Sequence, residues 1–206
     1  LPVSPPIRRR HLGTPRNGAR AAPEAGRASS PSPSMLLPPL LAAVHMVKLD
    51  PADLERVAAA GASVVHCPQS NLKLGSGLCP VPSFKDRGVN VALGSGGVSN
   101  NDLLAELRSA ALIANGMFPN ATPVRAHEWL RTATLNGARA LGLAESIGSL
   151  TPGKWADLCC IDLARPNTQP TYDPAAQIVF AASREQISDV WVAGRMLVRD
   201  RQLRHL

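Results

Sequence analysis

Aromatic side chains are scarce in this 206-residue chain, which has three phenylalanines, three tryptophans and one tyrosine. Aliphatic side chains and alanine must therefore fill any core, and a hydrophobic content of 45% is enough for a globular protein. Long apolar runs are also missing, since no stretch approaches the roughly 20 residues needed to span a bilayer. These absences predict a globular chain without membrane association.

Cysteine is scarce as well, and Cys67, Cys79, Cys159 and Cys160 do not form a paired framework. Cys159 and Cys160 stand side by side in an apolar run, so we expect buried, reduced thiols. Reduced thiols are typical of a reducing compartment, and we predict a cytoplasmic location. The common metal-ligand patterns HxH, HExxH and CxxC do not occur either.

Acidic residues are nearly missing from residues 1–34, which hold six arginines and one glutamate. This segment is rich in proline, serine and alanine and lacks a periodic apolar pattern, so we predict a disordered tail. It carries a net charge of +5, and the other 172 residues carry only +2. Because a nucleic-acid binder shows its basic face on the folded part, we predict no nucleic-acid partner.

The stretch from His66 to Arg108 has the most regular organisation. Strands are predicted at 62–67 and 89–93, and a helix at 101–115, which Ser99 or Asn100 would cap. Strands that alternate with helices predict an α/β fold with a parallel sheet, in which the loops after the strands form the site.

The rest of the chain adds elements on both sides of this stretch. The other predicted elements are a buried strand at 40–47, a helix from Asp50, a loop over 68–82, a short helix at 83–87 and a long helix over 125–142. After Gly142 a strand at 156–163 and a hairpin at 187–198, turning at Ala193–Gly194, predict a small antiparallel sheet.

Two histidines follow predicted parallel strands. His45 and His66 would both lie at the mouth of the sheet, where an imidazole can transfer protons or bind a metal. The alternative for each is a structural histidine. Asp102 and Glu106 lie one helical turn apart, and we expect them to be solvated charges near the helix start.

The glycine-rich loop Gly94–Ser99 invites a dinucleotide-binding interpretation, because it follows a strand and precedes a helix. The third glycine of that motif would fall on Ser99, and no acidic residue closes a second strand at the expected distance. A plain tight turn is therefore favoured.

Several longer stretches together resemble the amidohydrolase superfamily, in its chlorohydrolase and aminohydrolase branch, and most of all the 5-methylthioadenosine/S-adenosylhomocysteine deaminases. The stretches are VVHCPQSNLKLGSGLCPV, GVNVALG, SNNDL, ELRSAALIA, TATLNGARALGL, IGSLTPGKWADL, YDPAAQIVFAA and ISDVWVAGRMLV. The resemblance extends from about Leu36 to Leu203. It implies the last strands of a (β/α)8 barrel over 35–142 and the C-terminal part of a small β-sandwich over 143–206.

The resemblance also implies roles for particular residues. His45 matches the catalytic histidine after the sixth strand, and His66 and Asn71 match a loop that lines the substrate pocket. Ser99–Asp102 matches the segment after the eighth strand. The implied reaction is hydrolysis of an exocyclic amine on a purine-type small molecule, with zinc or another divalent metal in the family.

The chain departs from the family where the metal would bind. The family has GTDG where this chain has Gly94–Gly97, so Gly96 stands at the metal-binding aspartate, or that residue is deleted. The paired histidines of the first strand and the histidine and glutamate of the fifth are missing, and Lys48 replaces a further histidine. The resemblance thus implies a chain that retains no metal ligand.

Two functional hypotheses remain open. The chain is a truncated purine-type deaminase that is inactive by itself, or it is a non-catalytic partner that completes a barrel or dimer with a full-length relative. An incomplete barrel would leave a parallel strand edge uncovered, which favours association, including a homo-oligomer.

Overall fold

The computed structural model describes residues 41–97, 101–118 and 123–204. The tail predicted over 1–34 and the helix caps predicted at Ser99 and Asn100 lie outside these residues. The helices and strands are β1 (Ala42–Val44), α1 (Pro51–Ala59), β2 (Ser63–His66), α2 (Pro68–Lys73), α3 (Val81–Asp86), β3 (Val91–Leu93), α4 (Leu103–Met117), α5 (Ala126–Thr132), α6 (Leu135–Ala140), β4 (Leu158–Ile161), α7 (Pro174–Phe180), β5 (Ile187–Val192), β6 (Arg195–Arg199) and β7 (Gln202–Leu203). Single 3₁₀ turns lie at Pro166–Thr168 and Arg184–Gln186.

The first three strands form the predicted parallel sheet in the order β1-β2-β3. Val44 of β1 is opposite Val65 of β2, and Val65 is opposite Ala92 of β3. The strand predicted at 40–47 is therefore present, but it is not buried, because Val44 is 48% exposed. The reason is its position: among the described strands, β1 has a neighbour on one side only.

The main core lies between this sheet and the helices around it. Its fully buried members are largely aliphatic or small: Val64, Leu107, Ala110, Ala111 and Val179, with Phe84 and Trp129 as its large aromatic side chains. Phe84 and Trp129 are each 0% exposed. The prediction that alanine and aliphatic residues fill most of the interior is confirmed for the described residues.

The second sheet is antiparallel, with the order β4-β5-β6-β7. The predicted hairpin is confirmed as β5–β6, and Ala193 and Gly194 at its turn have φ values of 49° and 77°. Two successive positive φ angles match the right-handed twist of a tight hairpin. The small antiparallel sheet predicted after Gly142 is therefore present.

The prediction of buried thiols at Cys159 and Cys160 is wrong, because both are exposed free cysteines. They lie on β4, opposite Val190 and Asp189 of β5. Successive side chains of a strand point to opposite faces of the sheet, so both faces are open to solvent at this point of β4. Cys67 and Cys79 are free thiols as well, but they are buried.

The helices of the structure differ from the predictions in three places. The helix predicted over 125–142 breaks between α5 and α6, where the hydroxyl of Thr134 donates to the carbonyl of Leu130 (2.8 Å) and competes with helical bonding. The loop predicted over 68–82 contains α2, and α7 was not predicted. The longest described helix, α4, has 15 residues, and no helix in the described ranges is long and apolar enough to cross a membrane.

We expect Phe84→Ala to lower the free energy of unfolding by about 3–5 kcal/mol, because it removes a fully buried ring and leaves a cavity. Urea denaturation followed by circular dichroism measures the loss. Tyr172→Ala is the matched control: this ring is 91% exposed, so the change should stay within about 0.5 kcal/mol. A loss below about 1 kcal/mol in Phe84→Ala would contradict the described core.

Candidate functional site

The two histidines predicted at the mouth of the sheet lie at the carboxyl ends of neighbouring parallel strands. His45 follows β1 directly, and His66 is the last residue of β2. The backbone N–H of His45 donates to the carbonyl of Val65 (3.0 Å), so the backbone of His45 is bound to the sheet. Parallel pairing therefore places both side chains at one end of the sheet, where sites in such folds are found.

His45 forms a direct contact with Asn71, the third residue assigned to the site from the sequence. The distance from His45 Nδ1 to Asn71 Oδ1 is 2.8 Å. With the amide oxygen as acceptor, as the side chain is assigned, the proton lies on Nδ1 and the lone pair on Nε2. This tautomer leaves Nε2 available as a proton acceptor.

The backbone around His45 is strained. His45 and Met46 have φ values of 72° and 47°, in the left-handed region that non-glycine residues rarely occupy. Such a conformation costs on the order of 1–3 kcal/mol and persists where the surrounding contacts enforce it. The bonds of the His45 N–H to Val65 and of the Met46 N–H to Val44 provide that enforcement.

Asn71 is held in place by α2, a helix that the sequence did not predict. Pro68 occupies the first turn, where its missing N–H costs least, and the N–H of Asn71 donates to the carbonyl of Cys67 (3.0 Å). Asn71 is 2% exposed and Ser70 is 1% exposed. Asn71 Nδ2 and Ser70 Oγ have no hydrogen-bond partner among the described residues.

His66 is 3% exposed, and its Nδ1 likewise has no partner within the described ranges. Burial, reinforced by the nearby His45, lowers the pKa of His66 from 6.5 to about 4. The imidazole is therefore neutral at pH 7. It can accept a hydrogen bond or bind a cation, but it is not an acid at that pH.

Gly96 lies against both His45 and Ser70. A Cβ atom built on Gly96 would be 2.9 Å from Ser70 Cβ and 3.1 Å from His45 Cε1. The φ of Gly96 is +56°, which also favours glycine. The position that resembles the family's aspartate therefore borders the imidazole, but its backbone is shaped for a residue without a side chain.

Glu106 was expected to be a solvated charge, and this is wrong, because it is 0% exposed. Its Oε2 accepts the backbone N–H of Gln69 (3.0 Å), and its Oε1 has no partner in the described part of the chain. Burial raises the pKa of Glu106, the Gln69 bond opposes that rise, and the charge of Asp102 adds to it. The signal was present in the sequence, since Glu106 lies beside Leu107 and one turn from Ala110, which are both buried.

Asp102 begins α4, and its Oδ1 accepts the N–H of Ala105 (3.0 Å). The N-cap of α4 is therefore Asp102. The role expected for Asp102, a charge at the helix start, is confirmed.

The donors at this end of the sheet do not make a complete metal site. Across the described ranges, no group of three or more histidine, cysteine, aspartate or glutamate side chains is placed to hold an ion. A catalytic divalent ion needs about three protein ligands and a water. His45 Nδ1 is committed to Asn71, and Gly96 offers no carboxylate. A resident divalent ion therefore does not fit the described residues of this chain alone.

The sequence pattern of the amidohydrolase family matches residues 20–197. The chain belongs to the amidohydrolase family.

Among curated relatives, the chain is 44% identical over 171 residues to a 5-methylthioadenosine/S-adenosylhomocysteine deaminase from Teredinibacter turnerae, covering 82% of this chain and 39% of the relative. It is 46% identical over 163 residues to the deaminase of the same name from Moorella thermoacetica, covering 78% and 38%. The chain thus spans about two fifths of the length of the relatives it matches.

Among solved structures, the chain is similar to an adenosine deaminase from Xanthomonas campestris with bound zinc. The identity is 46% and the TM-score 0.78, over 83% of this chain and 40% of that one. An atrazine chlorohydrolase from Arthrobacter aurescens complexed with zinc matches with 30% identity and a TM-score of 0.75, over 81% and 38%. Both comparisons show an α/β fold that matches part of an amidohydrolase, with a divalent metal in the relatives.

The lowered pKa of His66 predicts a loss of stability in mild acid. Below pH 6.5 the unfolded chain binds a proton on His66, whereas the folded chain binds it only near pH 4. The free energy of unfolding therefore decreases as the pH is lowered from 6.5 to about 4. Between pH 7 and pH 5 this contributes about 2 kcal/mol. Urea denaturation at both values should show that loss in the parent chain, and His66→Gln should lack it.

His127→Gln is the control for this titration, because His127 is an exposed histidine and its replacement should keep the parent's pH dependence. An equal loss of stability in His66→Gln and in the parent would show that His66 titrates normally.

The close contacts of Gly96 predict that Gly96→Ala lowers the free energy of unfolding by about 2–4 kcal/mol. The methyl group adds overpacking against Ser70 and His45 to the cost of a positive φ. Gly97→Ala is a matched neighbour, because its Cβ would meet no described atom within 4 Å, and the change should stay within about 1 kcal/mol. Equal effects of the two substitutions, measured by chemical denaturation, would refute the proposed contact.

Proposed function

We propose that this chain is part of a metal-dependent hydrolase that removes the exocyclic amine from a purine-type small molecule, of the 5-methylthioadenosine/S-adenosylhomocysteine kind. We also propose that these 206 residues alone do not carry out the reaction. The observation that carries the proposal is the His45–Asn71 pair, 2.8 Å apart at the carboxyl end of a parallel sheet. The relatives named as deaminases, at 44% and 46% identity, support the substrate class.

The proposed architecture is that of the last strands of a (β/α)8 barrel over 35–142, followed by the C-terminal share of a β-sandwich over 143–206. The parallel order β1-β2-β3, with helices after each strand, supports the barrel part. The antiparallel sheet β4-β5-β6-β7 supports the second part. A chain that spans 39% of a relative supplies one portion of such a barrel.

Within this proposal, each described residue has a chemical role at the substrate. His45 presents Nε2 as a proton acceptor because Asn71 holds its Nδ1 proton. His66 is neutral, and it lines the same end of the sheet together with Asn71 Nδ2, which can donate to a ring nitrogen or carbonyl. The residues offer hydrogen-bonding groups suited to a polar heterocycle, whereas the ligands for a metal are incomplete.

The proposed partner is a purine-type small molecule. The proposed location is the cytoplasm, which the four free cysteines favour. A homo-oligomer is the proposed assembly, since β1 carries exposed Ala42 and Val44 on an edge strand.

Ammonia release tests the function directly. We expect the 206-residue chain with added zinc to release no ammonia from adenosine, 5-methylthioadenosine or S-adenosylhomocysteine above a zinc blank. The Xanthomonas campestris adenosine deaminase is the positive control. Zinc-dependent turnover that His45→Ala abolishes and His127→Ala leaves intact would overturn the proposal that the chain is inactive alone.

A chimera tests the proposed reaction class. Residues 41–93 and 101–204 replace the matching parts of the Xanthomonas campestris enzyme, which keeps its own segment in place of residues 94–100, because the backbone at Gly96 has no room for an added side chain. We expect this chimera to be active, and we expect a chimera that also carries residues 94–100 of this chain to be inactive. Adding His45→Ala to the active chimera should lower activity about 100-fold. No effect of His45→Ala in an active chimera would contradict the proposed role of His45. A gain seen only on mixing the parent chain with an intact relative would favour the non-catalytic partner.

A further inference from the structure

Two hydrogen bonds, one at each of two residues of α2, link the buried carboxylate of Glu106 to the imidazole of His45. Glu106 Oε2 accepts the N–H of Gln69 at 3.0 Å, in the first turn of α2. Two residues along the same helix, Asn71 Oδ1 accepts from His45 Nδ1 at 2.8 Å. Helix α2 is only six residues long, so an anchor on its first turn restrains the whole helix.

We infer that Glu106 is a positioning residue for His45: it fixes α2 so that Asn71 meets the imidazole and selects its tautomer. The inference rests on the proposed function for the meaning of His45, but the coupling itself is a property of the folded chain. Glu106 acts at a distance, through Gln69 and Asn71.

The burial of Glu106 argues against a role in packing alone. A carboxylate that is 0% exposed is costly unless its hydrogen bonds compensate, and an apolar side chain would suit a position next to the buried Leu107 and Ala110. What the carboxylate provides, and an apolar group cannot, is an acceptor for the Gln69 N–H.

A second contact holds the same residue of α2 to the same helix. Gln69 Nε2 donates to Ser109 Oγ at 3.3 Å, and the Ser109 hydroxyl donates to the carbonyl of Ala105 at 2.8 Å. Backbone and side chain of Gln69 are therefore both held by α4. Because two contacts converge on one residue, the orientation of α2 is determined by α4 more than by its own six residues.

The length of the side chain at position 106 determines whether an acceptor reaches the N–H of Gln69. Glutamine has the same length as glutamate and keeps a carbonyl oxygen that can accept from Gln69 N–H. Aspartate keeps the charge but is one methylene shorter. Leucine keeps the volume but lacks an acceptor. The three variants thus separate reach, charge and packing.

The tautomer of His45 is the readout, and it requires neither substrate nor metal. The full 206-residue chain, labelled with ¹⁵N at histidine, is examined by long-range ¹H–¹⁵N NMR at a pH at which His45 is neutral. We expect the Nδ1–H tautomer in the parent and in Glu106→Gln. Glu106→Asp and Glu106→Leu should lose that preference, as Asn71→Ala does, and the Gln69 amide should exchange about tenfold faster or more.

Glu145→Asp and Glu145→Leu are the matched controls, since Glu145 is exposed, and both should keep the parent's tautomer. A folded Glu106→Asp or Glu106→Leu with the parent's tautomer overturns the inference. Loss in Glu106→Gln overturns it too, because the charge and not the placed acceptor would then be responsible. If the leucine variant does not fold, the comparison of aspartate with glutamine decides.

The result is independent of the ammonia assay. An active chimera that shows no coupling would refute the role of Glu106 alone, whereas coupling in an inactive chimera would refute the proposed reaction alone.

Discussion

Parallel pairing of β2 with both β1 and β3 is the constraint on which the rest of the structure depends. Neighbouring parallel strands bring their carboxyl ends to one edge, so His45, His66 and the loop with Gly96 converge although they are far apart in the chain. The helices then cover the sheet and bury the main core around Phe84 and Trp129.

The polar chemistry of the protein is concentrated at this edge. Four of the six buried side-chain atoms without a partner among the described residues belong to His66, Ser70, Asn71 and Glu106. Unpaired buried polar groups are rare in folded proteins because each costs about 1–3 kcal/mol. Together with the left-handed backbone at His45, they show that the fold accepts a stability cost at the edge where we propose the site.

Much of this organisation could be predicted from sequence, and the failures have definite physical causes. Local signals such as the glycine-bounded strand at 91–93 and the Ala193–Gly194 hairpin were sufficient, because turn chemistry and periodicity are encoded within a few residues. The prediction that Cys159 and Cys160 are buried was wrong because an apolar strand has the same sequence pattern whether or not another layer covers it. Glu106 was misjudged because a charge near a helix start is usually solvated.

By itself, the sequence determined the parallel and antiparallel strands, the helices that follow β1 and β3, the family and the position of two histidines at strand ends, because these depend on short-range pattern. Only the tertiary structure decided that Asn71 meets His45, that Gly96 has no room for a side chain, and that Glu106 is buried against α2. Those three facts depend on which segments pack together across 26 to 51 positions of the chain. Packing of that kind follows from the sum of many weak contacts and is not carried by any single motif.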